Sequence, residues 1–476
     1  MKVLFLTSRH CFTYPVEPLG QMYLSAVLKK AGHEVVNLEL EAIEDLETTI
    51  KKEAPGLIAY SATTGLHRVY LDATQAIKRF APDIPTILGG PHPSFLPEVL
   101  ETSELDIICK GEGEMAMLEL ADALQAGKDY SKILNLHVKK RNGEIVKNES
   151  RPYLTKEEMD ALPFPDRDMM RSHPQIWRNG LNAVMTGRGC PYKCSYCFNE
   201  TAQSAQSGRF VRKHGVERAI AEIKDFVAYC GTKSIIFEDD ILVMNKRWFR
   251  EFAPAYKKEV GLPYICHSIV DIIDEEVAEL LAESGCSAVA FGLENGNEKF
   301  RAAMLHKFTT NEQIIRASRA LKANGIEVIS QNILGFPEET PDITLETAAL
   351  NVAAGVDTAN FYFFTPYPGT WAGDYAKQKG YLNLSYESFP VNFHEQPPVE
   401  SPHKEDFQEL VHLVYLGMDY PALLPFMNFV YTRMRRENPL RRIAVKGLFF
   451  LSGNIRKWPY FRNRPTILPQ GLQNIG

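Results

Sequence analysis

The chain has 476 residues, a net charge of −6, and 45% hydrophobic against 24% charged residues. At about 150 residues per domain this allows roughly three domains, in an ordinary globular composition. A disordered tail, a collagen-like chain and a disulfide-dense mini-domain are excluded, and no basic excess points to nucleic acid.

Lys2–Thr7 is a short apolar run, the pattern of a strand buried on both faces. Leu19–Ala31 carries Leu19, Met22, Tyr23, Ala26 and Val27 at helical spacing and stops at Gly32. Glu34–Leu38, Gly56–Ser61, Pro85–Gly89 and Asp106–Lys110 read as further strands, with Leu66–Phe80 helical and another helix after Glu114. Such alternation gives a parallel, doubly wound sheet whose ligands sit beyond the carboxyl ends of the strands. The loops Ala62-Thr63-Thr64-Gly65, Gly89-Gly90-Pro91-His92 and Gly111-Glu112-Gly113-Glu114 fall at those ends. Residues 138–181, rich in Lys, Arg, Asn and Pro, read as a hairpin and then a linker.

A second series follows. Its strands are expected at Asn182–Thr186, Ser234–Phe237, Tyr264–Ile269, Ala288–Leu293, Glu327–Leu334 and Ala359–Thr365. Helices are expected at Val216–Tyr229, Lys246–Lys258, Glu275–Glu283, Asn311–Ala323 and Ile343–Ala354. Six parallel strands fit a partial βα barrel, with a doubly wound sheet as the main competitor. The last 90 or so residues lose this pattern. Lys404–Tyr420 and Ala422–Arg435 look helical, and Arg433, Arg435, Arg436, Arg441, Arg442, Lys446, Arg456, Lys457, Arg462 and Arg464 make the end basic. Leu440, Ile443, Ala444 and Leu451 fall broadly on one helix side among those cations, as in interfacial helices, while Gly447 and Gly453 weaken the helix. A helix packed on the barrel with a solvated basic face is the favoured reading over a peripheral membrane contact.

Val3–Leu6 is too short for a secretory signal core, and no apolar stretch approaches the roughly 18 residues of a spanning helix, so a cytoplasmic chain is expected. The eight cysteines agree: Cys11, Cys109, Cys230, Cys266 and Cys286 are scattered, and three crowd together. Gly187-Arg188-Gly189-Cys190-Pro191-Tyr192-Lys193-Cys194-Ser195-Tyr196-Cys197 has C-x3-C-x2-C spacing just after the first strand of the second series. Chance would produce that spacing on the order of 0.2% of the time. Three thiolates in a compact loop can hold three irons of a four-iron cluster and leave the fourth open for chemistry. A structural zinc would need a fourth ligand, and no other Cys or His lies within ten residues; a redox CxxC pair would not need Cys190.

These residues resemble the radical S-adenosylmethionine (SAM) superfamily: Cys190, Cys194 and Cys197 match its C-x3-C-x-aromatic-C signature, with Tyr196 as the aromatic. Phe237-Glu238-Asp239-Asp240 stands where the family binds the SAM amino group. Gly292-Leu293-Glu294-Asn295-Gly296 is similar to its ribose or carboxylate contact. Gln331-Asn332-Ile333-Leu334-Gly335-Phe336-Pro337-Glu338-Glu339 is similar to its adenine-side motif, and Pro366-Tyr367-Pro368-Gly369-Thr370 follows the sixth strand. The resemblance implies a [4Fe-4S] cluster whose unique iron is chelated by SAM, reductive cleavage to a 5′-deoxyadenosyl radical, and an electron donor such as flavodoxin or ferredoxin. It makes Tyr196, Glu238, Asp239, Asp240, Glu294, Gln331, Asn332, Gly335 and Tyr367 candidate cofactor contacts.

The first 130 residues resemble the cobalamin-binding domain fused to one radical SAM class. The matching stretches are Glu17-Pro18-Leu19-Gly20, Tyr23-Leu24-Ser25-Ala26, Lys30–Val35, Gly89-Gly90-Pro91-His92 and Gly111–Glu114. The D-x-H-x-x-G motif that supplies an axial histidine is absent, as in many members of that class; His10 and His92 are candidates for corrin or substrate contact only. Candidate cobalamin contacts are then Thr63, Gly65, Gly89, Gly90, His92, Gly111 and Glu112. The expected architecture is α/β: a Rossmann-like domain over 1–137, a linker over 138–181, a partial (β/α)6 barrel over 182–385 and a mainly helical region over 386–476. The leading expectation is a radical methyltransferase acting on an unactivated carbon or phosphorus of a small molecule. The alternatives are a radical oxidation, cyclisation or rearrangement, since the layout is similar to the anaerobic magnesium-protoporphyrin ester cyclase group, and a non-catalytic corrin or cluster sensor.

Overall fold

A computed structural model describes residues 1–8, 17–173, 182–383, 385–386, 389 and 397–455. His10, Cys11, Arg456, Lys457, Arg462 and Arg464 lie outside the described residues.

The first series forms a seven-stranded sheet in the order β2-β1-β3-β4-β5-β6-β7. Its strands are β1 (Lys2–Thr7), β2 (Glu34–Glu39), β3 (Leu57–Ser61), β4 (Thr86–Gly89), β5 (Ile107–Cys109), β6 (Leu136–Lys139) and β7 (Ile145–Lys147). The pleat sends Val3 and Phe5 to one face and Leu4 and Leu6 to the other. Helices Leu19–Lys30 and Glu114–Gln125 bury Met22, Leu28, Met117 and Leu120 on the first face. Helix His67–Phe80 buries Tyr70 and Ile77 on the second. Continuous apolar runs therefore become parallel strands covered on both sides. The expected hairpin, β6 with β7, pairs antiparallel and extends this sheet past residue 137.

The second series forms one parallel six-stranded sheet, β8-β11-β12-β13-β14-β15. Its members are β8 (Ala183–Val184), β11 (Ile235–Phe237), β12 (Tyr264–Ser268), β13 (Cys286–Glu294), β14 (Glu327–Leu334) and β15 (Thr358–Phe363). Each new strand adds to the same side of the last, so this is a partial barrel; a doubly wound sheet would reverse direction midway. A short ribbon, β9 (Gly187–Arg188) with β10 (Arg212–Lys213), stands beside it. Side chains are sorted by the strand pleat: Val289, Phe291 and Val328 join the outer core, whereas Ile265, Ala288, Ala290 and Ile329 form a small inner cluster. Local chemistry sets the helix limits. Asn245, Asp274 and Thr310 each accept an amide two or three residues into the following helix. Gly231, Gly285 and Gly355 end the preceding helices in the left-handed conformation.

Helix Lys404–Asp419, the first of the C-terminal region, packs Phe407 and Val414 against Phe361 and Phe363 on the outer face of β15. Helices Leu424–Arg433 and Pro439–Ile455 then stack on it through Leu410, Leu413, Met427, Val430 and Leu448.

Candidate active site

The cysteine loop leaves the carboxyl end of β8 through the β9/β10 ribbon. Gly189 has φ +85°, and a Cβ there would lie 2.7 Å from the Phe210 carbonyl, so only glycine lets the loop pass. The loop is then pinned. Gln203 Nε2 donates to the Cys190 and Tyr192 carbonyls at 2.9 and 3.2 Å, and Ser195 donates through its amide to Leu305 and through Oγ to Met304. Cys190, Cys194 and Cys197 are free thiols, each half-buried. Burial pushes Cys190 up to about 11 and Cys197 up to about 12, and raises Cys194 as well. The protein alone thus holds three thiols; soft iron centres would make them thiolates. Among the described residues no three His, Cys, Asp or Glu side chains converge on one point, as a single-ion site asks. Cubane ligands need no such convergence, because each meets a different iron. The donor set fits a [4Fe-4S] cluster.

Around the loop stand the strand ends. The Tyr196 hydroxyl donates to Glu294 Oε1 at 2.8 Å, while its ring meets Phe336 edge-on, with centroids 6.0 Å apart. Glu294 itself has φ +67°, a strained conformation for a non-glycine residue, at a break in the β13/β14 register. Buried Lys307 reaches Gly292 O and, at 3.4 Å, Glu294 Oε1. Asp240 accepts from Asn199 Nδ2 at 2.8 Å, and burial raises its carboxyl. Burial raises Glu238 too, opposed by the nearby His267. Asp239 is engaged elsewhere: it pairs with Lys213 and accepts from the Thr186 amide and hydroxyl at 2.8 Å each. The pleat divides the next pair. Gln331 Oε1 is buried with no partner among the described residues, whereas Asn332 donates through Nδ2 to Ser330 Oγ and Asn360 O and accepts at Oδ1 from Asn351 Nδ2, joining β14 to the helix Pro341–Ala354 away from the inner face. Gly335 turns the chain at φ +81°. The Pro366–Thr370 loop meets the helix that follows the cluster loop, where Thr201 Oγ donates to Gly369 O; burial, and then Cys197, pushes Tyr367 up to about 12.

At the carboxyl ends of β1, β3, β4 and β5 a cavity of about 280 Å³ opens, lined by Gly20, Gln21, Gly89, Gly90, Gly111 and Glu112, and by Met185 and Arg188 from the cluster loop's own approach. Its glycines expose backbone to a ligand, and two buried oxygens among its lining residues, Gln21 Oε1 and Glu114 Oε2, have no partner among the described residues. Amide donors on the rim of a corrin would answer them, so the residues present fit cobalamin. Thr63, Gly65 and His92 lie outside that lining. Instead the His92 ring stacks on His67 at 3.7 Å and its Nδ1 bonds Thr64, while the Gly65 amide donates to His67 Nδ1. Both imidazoles are buried, which lowers His67 to about 4 and His92 to about 3.

Glu112 has a second role. Arg188 Nη1 meets it at 2.9 Å and Arg212 at 2.8 and 3.0 Å, while Arg188 Nη2 meets Glu114 at 2.7 Å. Glu17, buried, accepts from Arg167 and from the amides of Asn182 and Ala183 at the start of β8. The first domain is therefore joined by ion pairs to the β9/β10 ribbon and by amide bonds to the start of β8, and Arg188, two residues before Cys190, ties the cavity wall to the cluster loop.

A B12-binding domain model matches residues 7–121, and a radical SAM superfamily model matches residues 184–350. An uncharacterised methyltransferase of Pyrococcus horikoshii is 31% identical over 368 residues, covering 75% of this chain and 78% of the relative. The chain belongs to the cobalamin-binding radical SAM family. An anaerobic magnesium-protoporphyrin IX monomethyl ester cyclase of Rubrivivax gelatinosus is 29% identical over 370 residues, 74% of this chain and 64% of that protein. The fold matches the radical SAM methyltransferase TsrM of Kitasatospora setae, solved with cobalamin and a [4Fe-4S] cluster, with TM-score 0.69 and 18% identity over 96% and 99% of the two chains. The family membership carries the cofactor set expected from the motifs: cluster, SAM and cobalamin.

Sequence reasoning missed Lys307, His267, Asn199, Gln203 and the Arg188–Glu112–Arg212 bridge. Glu112 and Arg188 sit in motifs, but their pairing does not show there; each of these residues gains its place from chain segments 10 to 100 residues apart.

Proposed function

We propose that this chain is a cobalamin-dependent radical methyltransferase acting on a small molecule. The observation that carries the reading is the shared wall: Met185 and Arg188, on the approach to the cysteine loop, also line the glycine cavity of the first domain. When bound, the reduced cluster with SAM supplies a carbon-centred radical and cobalamin supplies a transferable methyl group. Cys190, Cys194 and Cys197 hold the cluster, and Gln203 and Ser195 fix the loop's backbone. Glu238 and Asp240 receive the SAM ammonium, and Glu294, held by Tyr196 and Lys307, faces the ribose or carboxylate end. Gln331 offers its unpaired oxygen from the inner face, and Tyr367 closes the site beside Cys197. Gly89, Gly90 and Gly111 cradle cobalamin, with Gln21 and Glu114 as acceptors. The helix Pro91–Phe95 brings Phe95 within 6.1 Å (ring centroids) of Phe198, just past the cluster loop, and helps exclude water between the domains. A flavodoxin or ferredoxin supplies electrons, in the cytoplasm.

The cyclase relative supports a second reading, radical chemistry without methyl transfer. Anaerobic turnover with methyl-deuterated SAM and cell extract, read by mass spectrometry, separates the two. Methyl transfer predicts 5′-deoxyadenosine, S-adenosylhomocysteine and a product bearing a deuterated methyl group. A product changed only in hydrogen or oxygen content would support the cyclase-like reading. Absence of 5′-deoxyadenosine with every extract would leave only a sensor.

A further inference from the structure

We propose that the last two described helices form a peripheral docking face for an anionic lipid bilayer. Helix Pro439–Ile455 has two apolar faces. One, through Val445 and Leu448, is buried in the C-terminal core. The other faces solvent: Ile443 is 66% exposed and Phe450, seven residues on, 71%, with Leu440 three residues before Ile443 and Leu451 next to Phe450 on the same side of the helix. The preceding helix adds Phe426 and Phe429, the latter 55% exposed, three residues apart on its own outer side. Exposed large side chains in such number on adjoining elements mark an interaction surface rather than ordinary scatter.

The charges say what covers it. Of the basic residues read along this end, Arg436 and Arg441 are turned inward onto Glu405, Asp406 and Glu409. Arg433, Arg435, Arg442 and Lys446 remain exposed, with no ion pair among the described residues. Glu437 is the one acidic residue between Arg433 and Leu451. Cations flanking an apolar stripe complement a lipid surface, where acyl chains take the stripe and anionic headgroups the cations. A symmetric second copy would set the same cations against themselves. No described helix is long and apolar enough to cross a membrane, so the contact lies in the interface plane.

The full chain with its cluster is floated with vesicles of phosphatidylcholine alone and of phosphatidylcholine with phosphatidylglycerol, at low and high salt. Binding to the anionic vesicles at low salt is expected, with weakening of about fivefold for each cation removed. The variant I443S/F450S is expected to stay at the bottom of the gradient, and R442S/K446S to bind more weakly, both with unchanged iron content and helicity. The proposal is overturned if the wild type ignores anionic vesicles at low salt, binds both vesicle types equally, or is unaffected by either pair of substitutions. A dimer in solution that I443S/F450S dissociates would assign the face to a second copy and equally overturn it.

Discussion

Replacing Glu112 with Gln removes one negative charge from between Arg188 and Arg212 while keeping the side chain's shape. Burial raises the Glu112 carboxyl, but the two arginines outweigh it and hold the group at about 2, against 4.5 unperturbed. That difference corresponds to about 3 kcal/mol of folding stability at neutral pH. The figure agrees with the cost of breaking one partner out of a buried ion pair, about 3–5 kcal/mol. The sign follows from the depressed value: the contribution is fully present above about 4.5 and disappears as pH falls toward 2. Urea unfolding of wild type and Glu112→Gln, from pH 7 down to pH 3, reads it. The variant is expected to be less stable by about 3 kcal/mol at pH 7, with the gap closing as acid is added. A gap below about 0.5 kcal/mol at pH 7, or one that does not change with pH, would refute the claim that this bridge joins the two domains.

Alanine at Cys190, Cys194 or Cys197 is expected to cut bound iron and sulfide and to reduce 5′-deoxyadenosine formation to background, read by iron assay and mass spectrometry. Gly90→Ala adds a Cβ at φ +91°, 2.8 Å from the Ala62 amide nitrogen, and is expected to cost about 2 kcal/mol or more in urea unfolding and to weaken corrin absorbance after reconstitution. The buried pair His67 and His92, lowered to about 4 and 3, is neutral in the fold but charges in the unfolded chain below about 6.5. Stability should therefore fall as pH drops from 6.5 toward 4, by about 3 kcal/mol from His67 alone. In a His67→Phe variant that limb should flatten, which unfolding midpoints across the range would show.

What could be read in the sequence was whatever is local. Strand β14, Glu327–Leu334, and helix Asn311–Ala323 fall where their apolar patterns put them, because both carry uninterrupted periodicity and, for the helix, a capping box from Thr310 to Gln313. The cysteine spacing was legible for the same reason. Short elements were not: helix Phe198–Ala205 and the β9/β10 ribbon are too brief to show a period and are made by packing. Within motifs, residue type did not reveal direction. Gln331 and Asn332 are neighbours in sequence, yet the pleat gives one an unpaired oxygen and the other a network on the opposite face. Asp239 matches its acidic neighbours in residue type, yet Lys213, 26 residues earlier on the adjoining ribbon, neutralises it.

Cys190, Cys194 and Cys197 would grip a cubane and leave one corner open. Mössbauer spectroscopy of anaerobically reconstituted, ⁵⁷Fe-labelled protein tests it most directly. A [4Fe-4S] signal in which one iron changes on adding SAM, and which Cys194→Ala abolishes, is the expected result. Zinc in place of iron, or a cluster with no iron that responds to SAM, would contradict the account.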